Sequence, residues 1–326
     1  MPTMTRTDVQ LVGAAGNLDI LPGLGFNYEI TEIGSSVWVG APPNAVPQVN
    51  VGLFDGVIGP SWFLQSTDIR GWNRRQSFHI DNTNYLRLNN PGGAGANISY
   101  TGHVVREYGA GATAVISDLQ TIAAGANMDV VPPAGNEFKV CDVGASVWIG
   151  GAPANLPDCT VAIFDGVNAA QFMQGADARG WGKPLELYFN PANYLRLTNT
   201  NVAANVLAIS GVISRIHGAA PTMVRSDVQV VPVAAVVDFI PAQGEEWRVT
   251  DIASDTWVGV APAALPNVTA QIFDGVLASN IIIPTDNKGW LDPIEILIDQ
   301  TNYLRLAAAA AVVVGISAVV SRIWRS

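Results

Sequence analysis

The sequence predicts an all-β protein made of three tandem, homologous antiparallel β-sandwich domains, jelly-roll or Ig-like. Three observations predict it: a long internal period, short runs of alternating apolar residues, and turn residues at sandwich-like spacing.

The period is the strongest signal. Ser36-Val37-Trp38-Val39-Gly40 recurs 110 residues on as Ser146-Val147-Trp148-Ile149-Gly150, then after a further 109 as Asp255-Thr256-Trp257-Val258-Gly259. Leu53-Phe54-Asp55-Gly56-Val57 returns from Ile163 and from Ile272. Asn84-Tyr85-Leu86-Arg87-Leu88 returns intact from Asn193 and from Asn302. At an offset of 110, 11 of the 23 positions from Ser35 to Val57 are identical, which excludes chance. Solenoid repeats run to roughly 20–50 residues, so each longer period here has chain enough for its own core. The expected domains are residues 1–110, 111–219 and 220–326. They divide in Gly109-Ala110-Gly111-Ala112 and His217-Gly218-Ala219-Ala220-Pro221.

Within a period the pattern is that of strands. Asn27-Tyr28-Glu29-Ile30-Thr31-Glu32-Ile33 alternates apolar and polar, as do Phe138-Lys139-Val140-Cys141-Asp142-Val143 and Tyr85-Leu86-Arg87-Leu88. No amphipathic helix of useful length is visible. Asp81-Asn82-Thr83-Asn84, Asn190-Pro191-Ala192-Asn193 and Asp299-Gln300-Thr301-Asn302 read as four-residue turns. The Asp-Gly pairs at 55–56, 165–166 and 274–275, set between apolar runs, read as hairpin turns. The first period holds about eight strands, which suits a two-sheet sandwich.

Composition narrows the function classes. Hydrophobic residues make up 49% of the 326 and charged residues 13%, about half the usual quarter. Such a chain is not disordered, and it has few charges with which to solvate a large surface. Part of that surface is therefore expected to meet other protein. The 17 basic and 27 acidic residues give a net charge of -10, with lysines only at Lys139, Lys183 and Lys288. Direct nucleic-acid binding, which needs clustered basic residues, is not expected. Met1-Pro2-Thr3-Met4-Thr5-Arg6 has no apolar run behind its charge, so no signal peptide is expected. The apolar stretch Leu306 to Val320 lies between Arg305 and Arg322, 16 residues apart in their interior against the ~20 a bilayer needs. It also aligns with the closing strands of the earlier periods, so no membrane span is expected.

The candidate chemistry is thin. His79, His103 and His217 do not recur from period to period, no His/Cys group has metal-ligand spacing, and no glycine-rich loop cradles phosphate. Catalytic residues, metals and cofactors are not expected. Cys141 and Cys159 occur only in the middle period and read as small core residues, with an intradomain disulfide as the alternative. The Asp of Phe-Asp-Gly reads as a turn residue rather than a calcium ligand. Trp38, Trp148 and Trp257, on strands, are expected in the core.

One constellation recurs with chemical potential: Asp68-Ile69-Arg70-Gly71-Trp72, Asp177-Ala178-Arg179-Gly180-Trp181 and Asp286-Asn287-Lys288-Gly289-Trp290. A carboxylate, a cation and an indole together can hold a sugar by stacking and hydrogen bonds. The structural reading is an Asp-initiated turn with its Trp folded onto the core. Just before this motif the periods diverge, from Val57 to Leu64, Val167 to Met173 and Val276 to Ile283. Each version carries large apolar side chains, so these strands, if exposed, form three different adhesive patches. Trp62 and Phe63, with Arg74 and Arg75, give the first period the richest set of interface anchors.

Through its Ser-Val-Trp-Val-Gly, Phe-Asp-Gly-Val and Asn-Tyr-Leu-Arg-Leu runs, the chain resembles the β-sandwich repeat proteins of tailed-phage particles: capsid decoration (cement) proteins and head fibres. The resemblance implies a non-enzymatic virion protein, assembled in the host cytoplasm and attached outside the head, at a local threefold position. Its partner would be the major capsid protein or another virion protein. It would act as a homo-oligomer (a trimer) or as a single-chain pseudo-trimer. The alternative is a carbohydrate-binding adhesin or tail-fibre module that uses the three Gly-Trp loops as sugar sites.

Overall fold

The structure, a computed structural model, describes residues 5–41, 45–107, 115–151, 155–175, 180–216, 223–259, 264–285, 290 and 293–323. It is all-β, with antiparallel sheets throughout, as the sequence predicts.

The strands of the first period are β1 (Thr5–Val12), β2 (Asn17–Ile20), β3 (Phe26–Ser35), β4 (Trp38–Val39) and β5 (Val46–Pro47). After them come β6 (Asn50–Phe54), β7 (Ser61–Leu64), the single-turn helix α1 (Ile69–Trp72), β8 (Phe78–Ile80), β9 (Tyr85–Asn89) and β10 (Ala96–Glu107). The second period repeats this order as β11 (Val115–Ile122), β12 (Asn127–Val130), β13 (Asn136–Ala145), β14 (Trp148–Ile149) and β15 (Leu156–Pro157). It continues with β16 (Cys159–Phe164), β17 (Ala169–Met173), β18 (Leu187–Phe189), β19 (Tyr194–Asn199) and β20 (Asn205–Ile216). The third gives β21 (Asp227–Val231), β22 (Val236–Phe239), β23 (Glu245–Ser254), β24 (Trp257–Val258) and β25 (Leu265–Pro266). It ends with β26 (Thr269–Phe273), β27 (Ala278–Ile282), β28 (Ile296–Ile298), β29 (Tyr303–Ala307) and β30 (Val312–Ile323).

The turns between these strands follow from side-chain chemistry. Asp55 Oδ1 accepts from the amides of Val57 and Ile58 at 2.8 and 2.7 Å. Asp165 and Asp274 make the same pair of bonds in their own periods. The Gly that follows each Asp sits at positive φ (+88°, +96° and +96°), where a Cβ would be strained. These loops close the hairpins β6–β7, β16–β17 and β26–β27. Asp81, Asn190 and Asp299 organise the second set of turns in the same way.

The chain forms two compact units. One comprises Met1–Met128, Val140–Cys159 and Asn199–Ile213; the other, Asp129–Lys139, Thr160–Thr198 and Ser214–Ser326. Both cut through the second period, and the sheet order shows why. In the first unit, the four-stranded sheet β1-β10-β3-β8 belongs wholly to the first period. The other sheet runs β11-β20-β13-β7-β6-β9-β2, so strands of the first and second periods share one hydrogen-bonded array. In the second unit, the sheet β12-β19-β16-β17-β23-β30-β21 joins the second and third periods in the same way. The four-stranded sheet β22-β29-β26-β27 belongs to the third period alone.

The first unit's core gathers Ile30, Leu53, Phe63, Phe78, Leu86 and Ile98, with Leu119 and Ala208 added from the second period. Phe63 and Phe78 stack with centroids 5.3 Å apart. The core of the third period centres on Val249, Trp290, Leu304, Leu306 and Ile316. The Leu306 to Val320 stretch thus supplies a strand rather than a membrane helix: among the described residues no helix is long and apolar enough to cross a membrane.

Candidate functional site

The three Gly-Trp loops face inward where they are described. Asp68 is buried, and its Oδ1 accepts the Gly71 amide at 2.9 Å. A Cβ at Gly71 would collide with the Asp68 carboxylate and with Leu64, which explains the glycine. Trp72 is half-buried against the core, while Trp181 and Trp290 are each only 4% exposed. Each indole N–H donates to the carbonyl seven residues earlier: Gln65 at 2.9 Å, Gln174 at 2.9 Å and Ile283 at 3.0 Å. In the first loop this is the Asp-initiated turn with its Trp folded back, and the described residues of the other two show the same folded-back Trp. Arg70 lies on α1 with its side chain outside the described set, and Asp177, Arg179, Asp286 and Lys288 lie outside the described residues altogether.

Two expectations need correction. Trp38 is not in the core but 57% exposed, and Trp148 and Trp257 are only half-buried. All three sit on two-residue ribbons paired to Val-Pro or Leu-Pro partners, which offer too little surface to cover an indole. The partial shelter of the latter two comes with indole bonds to the Ala145 and Ser254 carbonyls. The divergent strands, in turn, are not three exposed patches. β7 and β17 are buried in joints between periods: Trp62 pairs with Ala145, and Gln171 with Ser254. Phe63 is 1% exposed. Ala278, Ser279, Asn280 and Ile281 of β27 alone present an exposed face.

Those joints hold a recurrent set of buried polar groups. In the first, Arg74 Nη2 lies 2.7 Å from both carboxylate oxygens of Asp142, each side chain 3% exposed. Burial pushes the Asp142 carboxyl above its ordinary range, opposed by the Arg74 guanidinium and the Val143 amide. One period on, Lys183 Nζ meets Asp251 at 2.8 Å, the side chains 5% and 4% exposed. Ser210 Oγ accepts the His79 amide at 2.7 Å and donates to the His79 carbonyl at 2.9 Å. Ser317 does the same for Tyr188, at 2.8 and 3.3 Å. Asn84 Nδ2 donates to the Ser117 carbonyl, and Asn193 Nδ2 to that of Ser226, both at 2.8 Å. Backbones approach so closely in the first joint that a Cβ on Gly144 would sit 3.0 Å from Phe63 and from Ser61 Oγ.

Sequence reasoning missed a second recurrent cluster. Arg87, Arg196 and Arg305 each bind a carboxylate through Nε and Nη2, of Asp19, Asp129 and Asp238 respectively. Each guanidinium also lies 3.4 to 3.6 Å from the centroid of Phe54, Phe164 or Phe273. The aspartates recur 110 and 109 residues apart and the arginines 109 and 109 apart, a signal open to inspection. The cluster clamps β2, β6 and β9 and their counterparts.

The remaining candidates are buried or local. Cys141 and Cys159 are buried and not joined by a disulfide, as the core reading expects, and burial beside Asp158 pushes the Cys159 thiol up. His79 is buried in the joint, His103 Nε2 stands 3.1 Å from Glu29, and His217 lies outside the described residues. No group of three or more His, Cys, Asp or Glu is placed to hold a metal among the described residues. A cavity of about 360 Å³ in the third period is lined by Arg225, Asp227, Asp238 and Trp247 among others. Arg225 binds Glu245 there at 2.7 Å, and Glu245 also takes the Trp247 indole N–H at 2.8 Å.

No protein-family model matches the chain, and no curated protein matches it. Among solved structures, a chain from the X-ray structure of the entire lipid-containing bacteriophage PM2 is matched at 10% identity with a TM-score of 0.17. That match covers 98% of this chain and 88% of the other. A TM-score this low carries no argument.

Proposed function

We propose that this is a non-enzymatic structural protein of a virus particle, bound as a decoration or cement protein to the outside of a tailed-phage head. One observation carries the reading: a recurrent set of buried polar residues joins one period to the next. Arg74 with Asp142 and Lys183 with Asp251 are buried in joints, and the Gly-Trp loops turn their indoles inward. The protein is built for assembly. Low charge density and an acidic balance fit a protein on the outer face of a shell, away from packaged nucleic acid. Three repeats on one chain stand in for three subunits, as a single-chain pseudo-trimer or within a trimer, with the major capsid protein or another virion protein as partner. The sugar-binding alternative is disfavoured by the burial of Trp181 and Trp290, whose indoles have no open face for stacking, so the three loops do not form three equivalent sugar sites.

The test is addition of purified protein to heads that lack it, followed by imaging. Density in fixed stoichiometry with the capsid lattice supports the reading. Protein that stays free, or that binds only cell-envelope glycans, overturns it.

A further inference from the structure

The hairpin loops after β6, β16 and β26 carry a feature that turn formation does not require. Asp55 and Gly56 supply the first turn, and the next residue contributes only an amide. Loop tips of this kind favour Gly, Asn, Asp or Ser. Yet Val57, Val167 and Val276 stand there in all three periods, 88%, 83% and 84% exposed. The residue that follows has diverged to Ile58, Asn168 and Leu277, so shared descent alone does not hold the valine.

A second position behaves alike. Leu21, Val131 and Ile240, each just past β2, β12 or β22, differ in identity but are all apolar and exposed. The register sets the two positions at one end of the sheet. Ile20 lies opposite Leu86, and Phe54 opposite Tyr85, so the residue after β2 and the loop after β6 flank the start of β9. A Cβ on Gly56 would lie 3.8 Å from the Tyr85 hydroxyl, which places the loop beside that tyrosine. Phe54 and Tyr85 meet edge to face with centroids 5.4 Å apart, and the pair recurs at 5.5 Å as Phe164 with Tyr194 and Phe273 with Tyr303. Each patch also carries the same charge. Asp19 is matched by Arg87, but among the described residues no cation pairs with Asp55, and the same holds for Asp165 and Asp274. Two carboxylates against one guanidinium leave each patch one negative charge in excess. Burial and the carboxylates of Asp19 and Asp55 push the Tyr85 phenol above its ordinary range, opposed by Arg87, so both acids act on the same spot.

We propose that each period docks one copy of a repeated, basic protein surface through this patch. The valine and its apolar neighbour enter a recess of the partner, and a Lys or Arg of the partner meets the unmatched aspartate. The docking face rests on the shell-bound reading above and gives it a contact surface. Exposed apolar groups that recur together mark a site for other protein. Three like patches on one chain suit a partner presented in identical copies. Charge decides against a second copy of this chain: patch on patch would set acid against acid, between molecules that each carry a net charge of -10.

Addition of the full chain to heads that lack it, read as bound copies against protein concentration, tests the proposal. Val57→Asn/Val167→Asn/Val276→Asn places a good turn residue at each tip and is expected to melt with the wild type. It is expected to need about a hundredfold more protein to fill the heads, because three weakened contacts act together. Each single Asn variant, which changes one exposed tip, should shift the curve by roughly three- to tenfold. The triple Lys variant at the same positions should bind more weakly than the triple Asn variant, by repulsion from a basic partner. Val202→Asn, at an apolar site outside the patches that is 95% exposed, should bind as the wild type. Asn variants, single and triple, that fill the heads like the wild type overturn the patch and leave the shell-bound reading standing. A Lys variant that binds better than the Asn variant overturns the basic partner. Wild type that never adds to the heads overturns both the patch and the reading on which it rests.

Discussion

Strands β17 and β27 occupy the same place in successive periods, yet one is sealed and the other open. Ala170 and Met173 are wholly buried, while Ala278 to Ile281 are exposed. Their hairpins are alike, each closed by an Asp-Gly loop and carrying the same bulge. What differs is the neighbour. β17 pairs with β23 of the following period, whereas among the described residues β27 pairs with β26 alone. Burial here follows what packs against the strand rather than its place in the hairpin. This is why three divergent apolar segments, equivalent by inspection, have different fates.

The largest test of that contrast is the sealed ion pair. Arg74→Met leaves Asp142 buried without its cation and is expected to cost about 3–5 kcal/mol at neutral pH in urea unfolding. Burial pushes the Asp142 carboxyl above its ordinary range, so without the cation the cost of keeping it charged is relieved as it takes up a proton. The loss should therefore shrink as pH falls toward about 4, where the unfolded chain also protonates. The double variant Arg74→Met/Asp142→Leu should recover most of the stability, because neither charge remains to be desolvated. A single variant that unfolds like the wild type would remove the joint from the list of things holding the fold.

Equivalent edges give the next test. Phe63→Ala, at 1% exposure in a sealed edge, should cost about 3–4 kcal/mol. Ile281→Ala, on the open edge, should stay within about 0.5 kcal/mol. Equal effects in thermal unfolding would mean that β27 is covered after all.

The Arg-Asp-Phe clamp lies within one period and should not depend on neighbours. Arg196→Ala is expected to cost about 1–2 kcal/mol, from a partly solvated two-point pair and the ring beneath it. Arg305→Ala should cost about the same, because its clamp is built from the same three groups.

The smallest effect concerns the hairpin loops. Burial alone would raise the Asp165 carboxyl, but the amides of Asn168 and Val167 outweigh it and hold the carboxyl below its usual range. Its contribution is thus present above about pH 4 and lost as pH falls through the folded value. Asp165→Asn should cost about 0.5 kcal/mol at neutral pH, discounted for solvent screening, and should flatten the acid limb of stability.

Much of the fold was legible because it is written in local chemistry. Asp-Gly and Asp-x-x-Asn announce turns wherever they fall, and the alternation in Tyr85-Leu86-Arg87-Leu88 places one face of β9 inward without further information. The period multiplied each signal by three. The joints were not legible, because Arg74 and Asp142 lie 68 residues apart and neither looks unusual until β7 is known to sit beside β13. The Trp38 series misled for a related reason: a strand-like run says nothing of how little its partner strand can cover.

Because Lys183 finds in Asp251 what Arg74 finds in Asp142, the two couplings are chemically interchangeable. Excising one period would bring Arg74 against Asp251, carboxylate for carboxylate. A gene of this kind can therefore gain or lose copies by unequal recombination while still encoding compatible partners, and the number three becomes an outcome of ancestry and selection rather than of stereochemistry.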